Sequence, residues 1–410
     1  MKSRIQQSQK LNSKIMGKNL LLSLAVMAGI FTSCSSDDES SSSTPTPTGE
    51  ISGDFGANRV YVKGNYTLKG TVRIKSGVTV TFDAGSVITA DVTDGVDALV
   101  IENGGKVLMN GTAADPIVFT HTTKVPGSWG GIIMYGDAPI VGASGVASAT
   151  SEDGLTSSVT GTAYTYGGSN AAHNGGVLRY VRVEYAGKKI TDGTSEMNGF
   201  SFYSVGSGTV LENLVSYKGA DDGYEFYGGT VSATNLISYG NSDDSFDWQD
   251  GWRGQSNSNW YASQVGTGNF GMEIEAKSVN NDFWPKINNI TLKRAAGTVT
   301  EGGSSAAEYD AIQFKKQGNG EFTNIVISGY TTAGATAVRI QDAATNNDQV
   351  NGHKIKLINV KINDGTPQYT GASGITPVFA EADYTLSSTA TGATITSGAW
   401  TIVEGVNLLN

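Results

Sequence analysis

Apolar and polar residues alternate in short bursts along most of this chain. Thr71-Val-Arg-Ile-Lys, Gly77-Val-Thr-Val-Thr-Phe, Ser86-Val-Ile-Thr-Ala, Ala98-Leu-Val-Ile-Glu, Lys106-Val-Leu-Met-Asn and Pro116-Ile-Val-Phe-Thr are short, β-branched and alternating. A period of two marks strands with one buried face, and nothing between Val60 and Thr120 has helical periodicity. Further on the pattern repeats itself without a gap. The segments beginning at Thr209 and Thr230 align Asn213 with Asn235, Tyr217 with Tyr239, Asp222 with Asp244, Glu225 with Asp247 and Phe226 with Trp248, all 22 residues apart. A fixed period of this length in β-rich, Gly-punctuated text predicts an all-β solenoid, a right-handed single-stranded parallel β-helix of the pectin-lyase type.

Equivalent residues on adjacent coils then stack about 4.8 Å apart. Asn289, Asn324 and Asn359 recur within later apolar runs, 35 residues apart. With Asn213 and Asn235 they predict an inward ladder of amides bonded from rung to rung. Residues 141–176 and 256–282 break the strand pattern and read as flank loops. Phe226 and Trp248, which share a register, are expected inside the coil, and Trp129, between glycines, is expected to pack a turn.

The N-terminus changes the picture. Lys2, Arg4, Lys10, Lys14 and Lys18 precede an apolar run, Leu20 to Phe31, that is shorter than the roughly 20 residues of a membrane span. Residues 1–33 therefore read as a signal peptide. The following Phe31-Thr-Ser-Cys34 holds the chain's one cysteine, which resembles a lipobox with Cys34 as the acylated residue. Ser35-Ser-Asp-Asp-Glu39 resembles the acidic signal that exports lipoproteins to the outer face of the outer membrane. Residues 34–50, rich in Ser, Thr and Pro, read as a tether, leaving 51–410 for the β-helix. The chain carries 38 acidic against 28 basic residues, a net charge of −10, and loss of the leader's basic residues moves it to about −15. Such a surface excludes nucleic acid as a partner and suits divalent cations, glycans or a basic protein face.

Several segments resemble a family of parallel β-helix outer-membrane lipoproteins of Bacteroidota and spirochaetes. They are Phe82-Asp-Ala-Gly-Ser-Val-Ile, the run from Asn103 to Thr120, Gly127-Ser-Trp-Gly-Gly-Ile-Ile-Met-Tyr, and the two Asp-Asp repeats. The resemblance implies a lipid-anchored protein of the outer membrane facing the exterior. It brings no catalytic residues with it.

The candidate chemistry lies in the repeat. Asp221, Asp222 and Glu225 recur as Asp243, Asp244 and Asp247. Stacked carboxylates repel, and they are relieved by solvent, by raised pKa values or by a hard cation such as Ca²⁺. The expectation is a divalent-cation site at an exposed corner. An alternative is that one Asp of each pair forms an Asx-turn and the other is solvated. Trp252, Arg253, Trp260 and Tyr261 are the candidate ligand contacts, as aromatic faces and a cation beside the acids. Polygalacturonase-like enzymes pair Asp residues on adjacent coils but add Gly-His-Gly and Arg-Ile-Lys motifs. Here His121, His173 and His353 lack that context, and Arg73-Ile-Lys75 lies far upstream. Pectate-lyase-like enzymes place an Arg or Lys beside Ca²⁺, for which Arg253 is the nearby candidate. The incomplete signatures favour a non-catalytic surface protein that binds a glycan or a protein such as an outer-membrane receptor. A polysaccharide-cleaving enzyme and an adhesin or structural surface protein are the alternatives.

Overall fold

Strands this short bury enough surface only by stacking. The computed structural model describes residues 46–91, 95–190, 197–302 and 308–410. The leader, Cys34 and the tether up to residue 45 lie outside them. Twenty-four strands form one sheet, the 24-stranded stack of the solenoid, with every pairing in it parallel. Leu214 pairs with Leu236, Tyr217 with Tyr239, Glu225 with Asp247 and Phe226 with Trp248, so one 22-residue repeat is one rung. The architecture is a parallel β-helix. No helix among the described residues is long and apolar enough to cross a membrane.

The core is a set of columns along the axis. Phe202, Phe226, Trp248, Ile274, Phe314 and Ile340 follow one another in register, all buried. Trp129 is also fully buried; its indole N–H donates to the Glu184 carbonyl at 2.8 Å. Asn257–Gln264, assigned above to a flank loop, is a strand in register with Ala233–Tyr239 and Lys286–Arg294. Its text conceals this because its first inward position is polar. Asn257 is fully buried and bonds Ala233 N–H and the Gly254 and Lys286 carbonyls. The first strand, Thr48–Phe55, likewise starts inside the stretch read as tether.

The amide ladder exists, but at a bend and not in the core. Asn213, Asn235, Asn259, Asn289 and Asn324 are half-buried with φ of 56, 58, 58, 63 and 58°. Each bends a long strand into two legs, a left-handed conformation that Asn tolerates better than other non-Gly residues. From Asn235 onward each Nδ2 donates to the Oδ1 one rung back, at 2.7, 3.0, 3.1 and 2.7 Å. Asn359 shares the conformation (φ 59°) but is exposed at the far end. The C-terminal segment runs back along this ladder. Thr391 N–H bonds Asn324 Oδ1 at 2.8 Å, Thr394 N–H bonds Asn259 Oδ1 at 3.2 Å, and Trp400 packs edge-on against Tyr180.

Residues 141–176 fold over an outward column of stacked rings, Tyr135, Tyr203 and Tyr227, whose centroids are 5.0 and 3.9 Å apart. Two contacts hold them there: the Tyr135 hydroxyl bonds the buried Asp153, and the Tyr166 hydroxyl donates to Asp250 at 2.5 Å.

Candidate functional site

The strands Tyr224–Tyr227, Asp247–Gln249 and Met272–Ile274 are only three or four residues long, and their alternation turns Glu225, Asp247 and Glu273 outward in one column. The turns leading into them carry Asp221, Asp222, Asp243 and Asp244. Glu152 arrives from the 141–176 segment. Together with Asn198 and Tyr227 these residues line a pit of ≈ 210 Å³. No lysine or arginine is among the lining residues.

The acids are not at an exposed corner. Asp221, Asp222, Glu225, Asp244 and Asp247 are all at least nine-tenths buried, because the flank segment and the neighbouring turns close over the column; Asp243 is half-buried. Nor does one Asp of each pair stand in solvent as the Asx-turn alternative required. Asp222 Oδ1 accepts from Asp244 N–H at 2.8 Å and Asp244 Oδ1 from Phe270 N–H at 2.6 Å, so these carboxylates join rungs. Glu225 Oε2 accepts from Asn198 Nδ2 at 2.7 Å and from the Tyr227 hydroxyl. Asp243 accepts from Asn269 Nδ2, and Lys315 pairs with Glu273 at the pit's margin.

Asp247 is less well satisfied. Its Oδ1 is buried with no hydrogen-bond partner. Carboxylate oxygens fall into three overlapping triads, Asp221/Asp222/Asp243, Asp222/Glu225/Asp247 and Asp244/Asp247/Glu273, each within 4.8 Å. Two full charges at that separation repel by about 3.5 kcal/mol at an effective dielectric near 20. Burial, reinforced by the neighbouring acids, therefore pushes the carboxyls of Asp222, Glu225, Asp244 and Asp247 well above the usual range. Asp243 is pushed to about 7 by burial and by Glu301 and Glu273. The buried acidic clusters have the donor set for a metal: hard oxygens, several per site, with Asp247 Oδ1 unsatisfied.

The strand register and the stacked short coils point to one family. The sequence pattern of the pectate-lyase-like β-helix domain matches residues 53–403. The chain belongs to this family. Comparison with curated proteins and with solved structures found no match.

In this pectate-lyase-like domain the four residues expected to contact a ligand are not brought together with the acids. Trp252 and Trp260 are core residues, 1% and 0% exposed, with indole N–H groups donating to the carbonyls of Val231 at 3.0 Å and Ala233 at 3.1 Å. Their flanking Gly, Asn and Ser look solvated in the text, but the rings turn inward and stack with Phe226 at 4.4 and 5.7 Å. Tyr261 is buried on the outer side of its strand, in a cluster with Trp400. Arg253 is half-exposed at the opposite end of the short strands, outside the pit, and so cannot serve there as a lyase-type base. Glu152, Asn198 and Glu273 complete the pit and were missed. Glu273 follows Asp247 by 26 residues, since a longer coil intervenes, and Glu152 comes from a segment with no repeat to align.

Proposed function

We propose that this pectate-lyase-like β-helix is a non-catalytic binding protein whose acidic pit holds a divalent cation, Ca²⁺. Asp247 carries the reading: a buried carboxylate oxygen without a donor, among carboxylates that otherwise repel. The pit's volume supports an ion over a saccharide, being smaller than the roughly 300–1,000 Å³ of small-molecule pockets. A Ca²⁺ ion accepts six to eight oxygens, and each triad supplies three carboxylates toward that number. The cation's role is structural, joining rungs that would otherwise repel. The lipobox-like Cys34 and the acids after it support display on the outer membrane's outer face, where Ca²⁺ is at hand and the ligand is a glycan or a protein.

Titration calorimetry tests the ion. Protein stripped with chelator should take up Ca²⁺ with measurable heat and gain about 2.7 kcal/mol of stability at a free ion concentration 100 times the dissociation constant. Asp247→Asn should lose both. Absence of Ca²⁺ heat, with Asp247→Asn more stable than wild type, would refute the site.

A further inference from the structure

A second concavity lies at the other end of the same short strands, in the turns that follow them. It has a volume of ≈ 560 Å³ and climbs the solenoid from Ser207 through Thr230 and Ser232 to Arg253 and Ser256, ending at Phe283 and Trp284. These four successive turns span about 14 Å at rung spacing. The volume falls in the usual range for small-molecule sites, roughly 300–1,000 Å³.

Three features define its chemistry. Phe283 is 42% exposed, an uncommon state for a large ring in this molecule, and the Arg253 guanidinium stacks on it at 3.7 Å. Trp284 beside it is half-buried. Second, among the described residues no carboxylate pairs with Arg253, although the chain holds 38 acids. Its Nη2 has no hydrogen-bond partner, and its Nε reaches only the Gly251 carbonyl at 3.1 Å. The acid that lines the groove, Asp282, is taken by Lys354 at 2.8 Å. The groove therefore presents an uncompensated positive charge on an acidic protein. Third, the remaining lining is mostly hydroxyls and an amide, Ser207, Thr230, Ser232, Ser256 and Gln255, with Ala171 and with Lys286, which pairs with Glu321 at 3.2 Å.

An extended peptide is a poor occupant, because it needs a free strand edge. The backbone N–H groups here are already used. Thr230 donates to Val205, Arg253 to Gly229 and Lys286 to Gly254, at 2.9, 3.1 and 2.9 Å, and Ser256 donates to Ser232 Oγ at 3.0 Å. A pyranose suits the site better. Its apolar face stacks on an exposed ring, its hydroxyls meet serine, threonine and glutamine, and an acidic substituent answers the arginine.

We propose that this groove binds a short stretch of anionic saccharide, a pyranose chain bearing carboxylate or sulfate groups, with Phe283 and Trp284 as the platform and Arg253 as the anion contact. The proposal rests on the binding-protein reading above and names its ligand class, but it does not depend on the cation. The anion's source, uronate or sulfate ester, is separated by the probes.

Calorimetry with a galacturonate trisaccharide, a sulfated galactose trisaccharide and neutral xylotriose makes the test, on Ca²⁺-loaded protein. At least one acidic trisaccharide should bind on the order of tenfold more tightly than the neutral one. Arg253→Gln should abolish that preference. Phe283→Ala, a change at an exposed ring that leaves the core intact, should weaken binding of any trisaccharide on the order of tenfold. Asp247→Asn should bind sugar as wild type does. Equal affinity for neutral and acidic probes, or binding untouched by both groove variants, overturns the proposal. Loss of Ca²⁺ heat with sugar binding intact removes the pit assignment and leaves the groove. Cleavage of the bound sugar removes the non-catalytic reading and leaves the groove as a substrate site.

Discussion

Asp247 and its neighbours show how a residue's chemistry follows from what covers it. In water a carboxyl titrates near 4; in the pit, burial and the adjoining acids hold Asp222, Glu225, Asp244 and Asp247 protonated to much higher pH. Between the unfolded and folded pKa values the folded state binds more protons, so the stability of the metal-free protein falls as pH rises from about 4. Asp243, titrating at about 7, carries that loss through neutrality. A bound cation favours the ionised carboxylates and opposes the trend. In chelator the unfolding temperature should therefore drop between pH 5 and 8, and Ca²⁺ should flatten or reverse the slope while releasing protons to the buffer. Parallel slopes with and without Ca²⁺ would count against the ion. Asp222→Asn/Asp244→Asn should be the less pH-sensitive protein in chelator, since two of the groups responsible are gone.

The element that repeats is a strand bent by a left-handed asparagine. Asn235 donates to Asn213 and accepts from Asn259, so it ties two rungs while holding φ at 58°. Ala at this position loses both amide bonds, each worth about 1 kcal/mol, and adds roughly 1–2 kcal/mol of left-handed strain. Gly loses the same bonds without the strain. Denaturant midpoints should fall in the order wild type, Asn235→Gly, Asn235→Ala. If Ala proves no worse than Gly, the backbone conformation is not what selects Asn. The C-terminal segment lies along this ladder, so the bend also serves as a seam to which the chain's end is bonded.

At the scale of the molecule, one solenoid offers two unlike concavities at opposite ends of the same strands, a closed acidic pit and an open groove with an arginine. Neither bears on where the protein resides, which the proposed reading ties to Cys34 and the acids after it. Cys34→Ala should shift the protein from the membrane fraction or arrest it as an uncleaved precursor, read by fractionation and by mass. A variant that sediments with the outer membrane like wild type would argue against the anchor. Replacing Asp37, Asp38 and Glu39 by Ala should lower its accessibility to protease on intact cells.

The β-helix, its 22-residue register and the stacking of Asp222 on Asp244 and Glu225 on Asp247 could be read from the text, because a solenoid repeats the same local environment and so writes its register into the sequence. Phe226 and Trp248 fell inside for the same reason. The rungs whose length or polarity departs from the repeat could not be read that way. Asn257–Gln264 looked like a loop because its inward Asn257 is polar, and Glu273 was hidden by a longer coil. Exposure was decided only by the tertiary structure. Trp252 and Trp260 sit among polar neighbours in sequence, yet their rings turn into the core, while Phe283 remains outside. The acids became buried because residues 141–176, which bring Glu152, and the neighbouring turns close over them. Which side chains a distant segment covers is a fact of three dimensions, and it decides here which carboxylates can be ionised and which arginine, among the described residues, is left without a carboxylate.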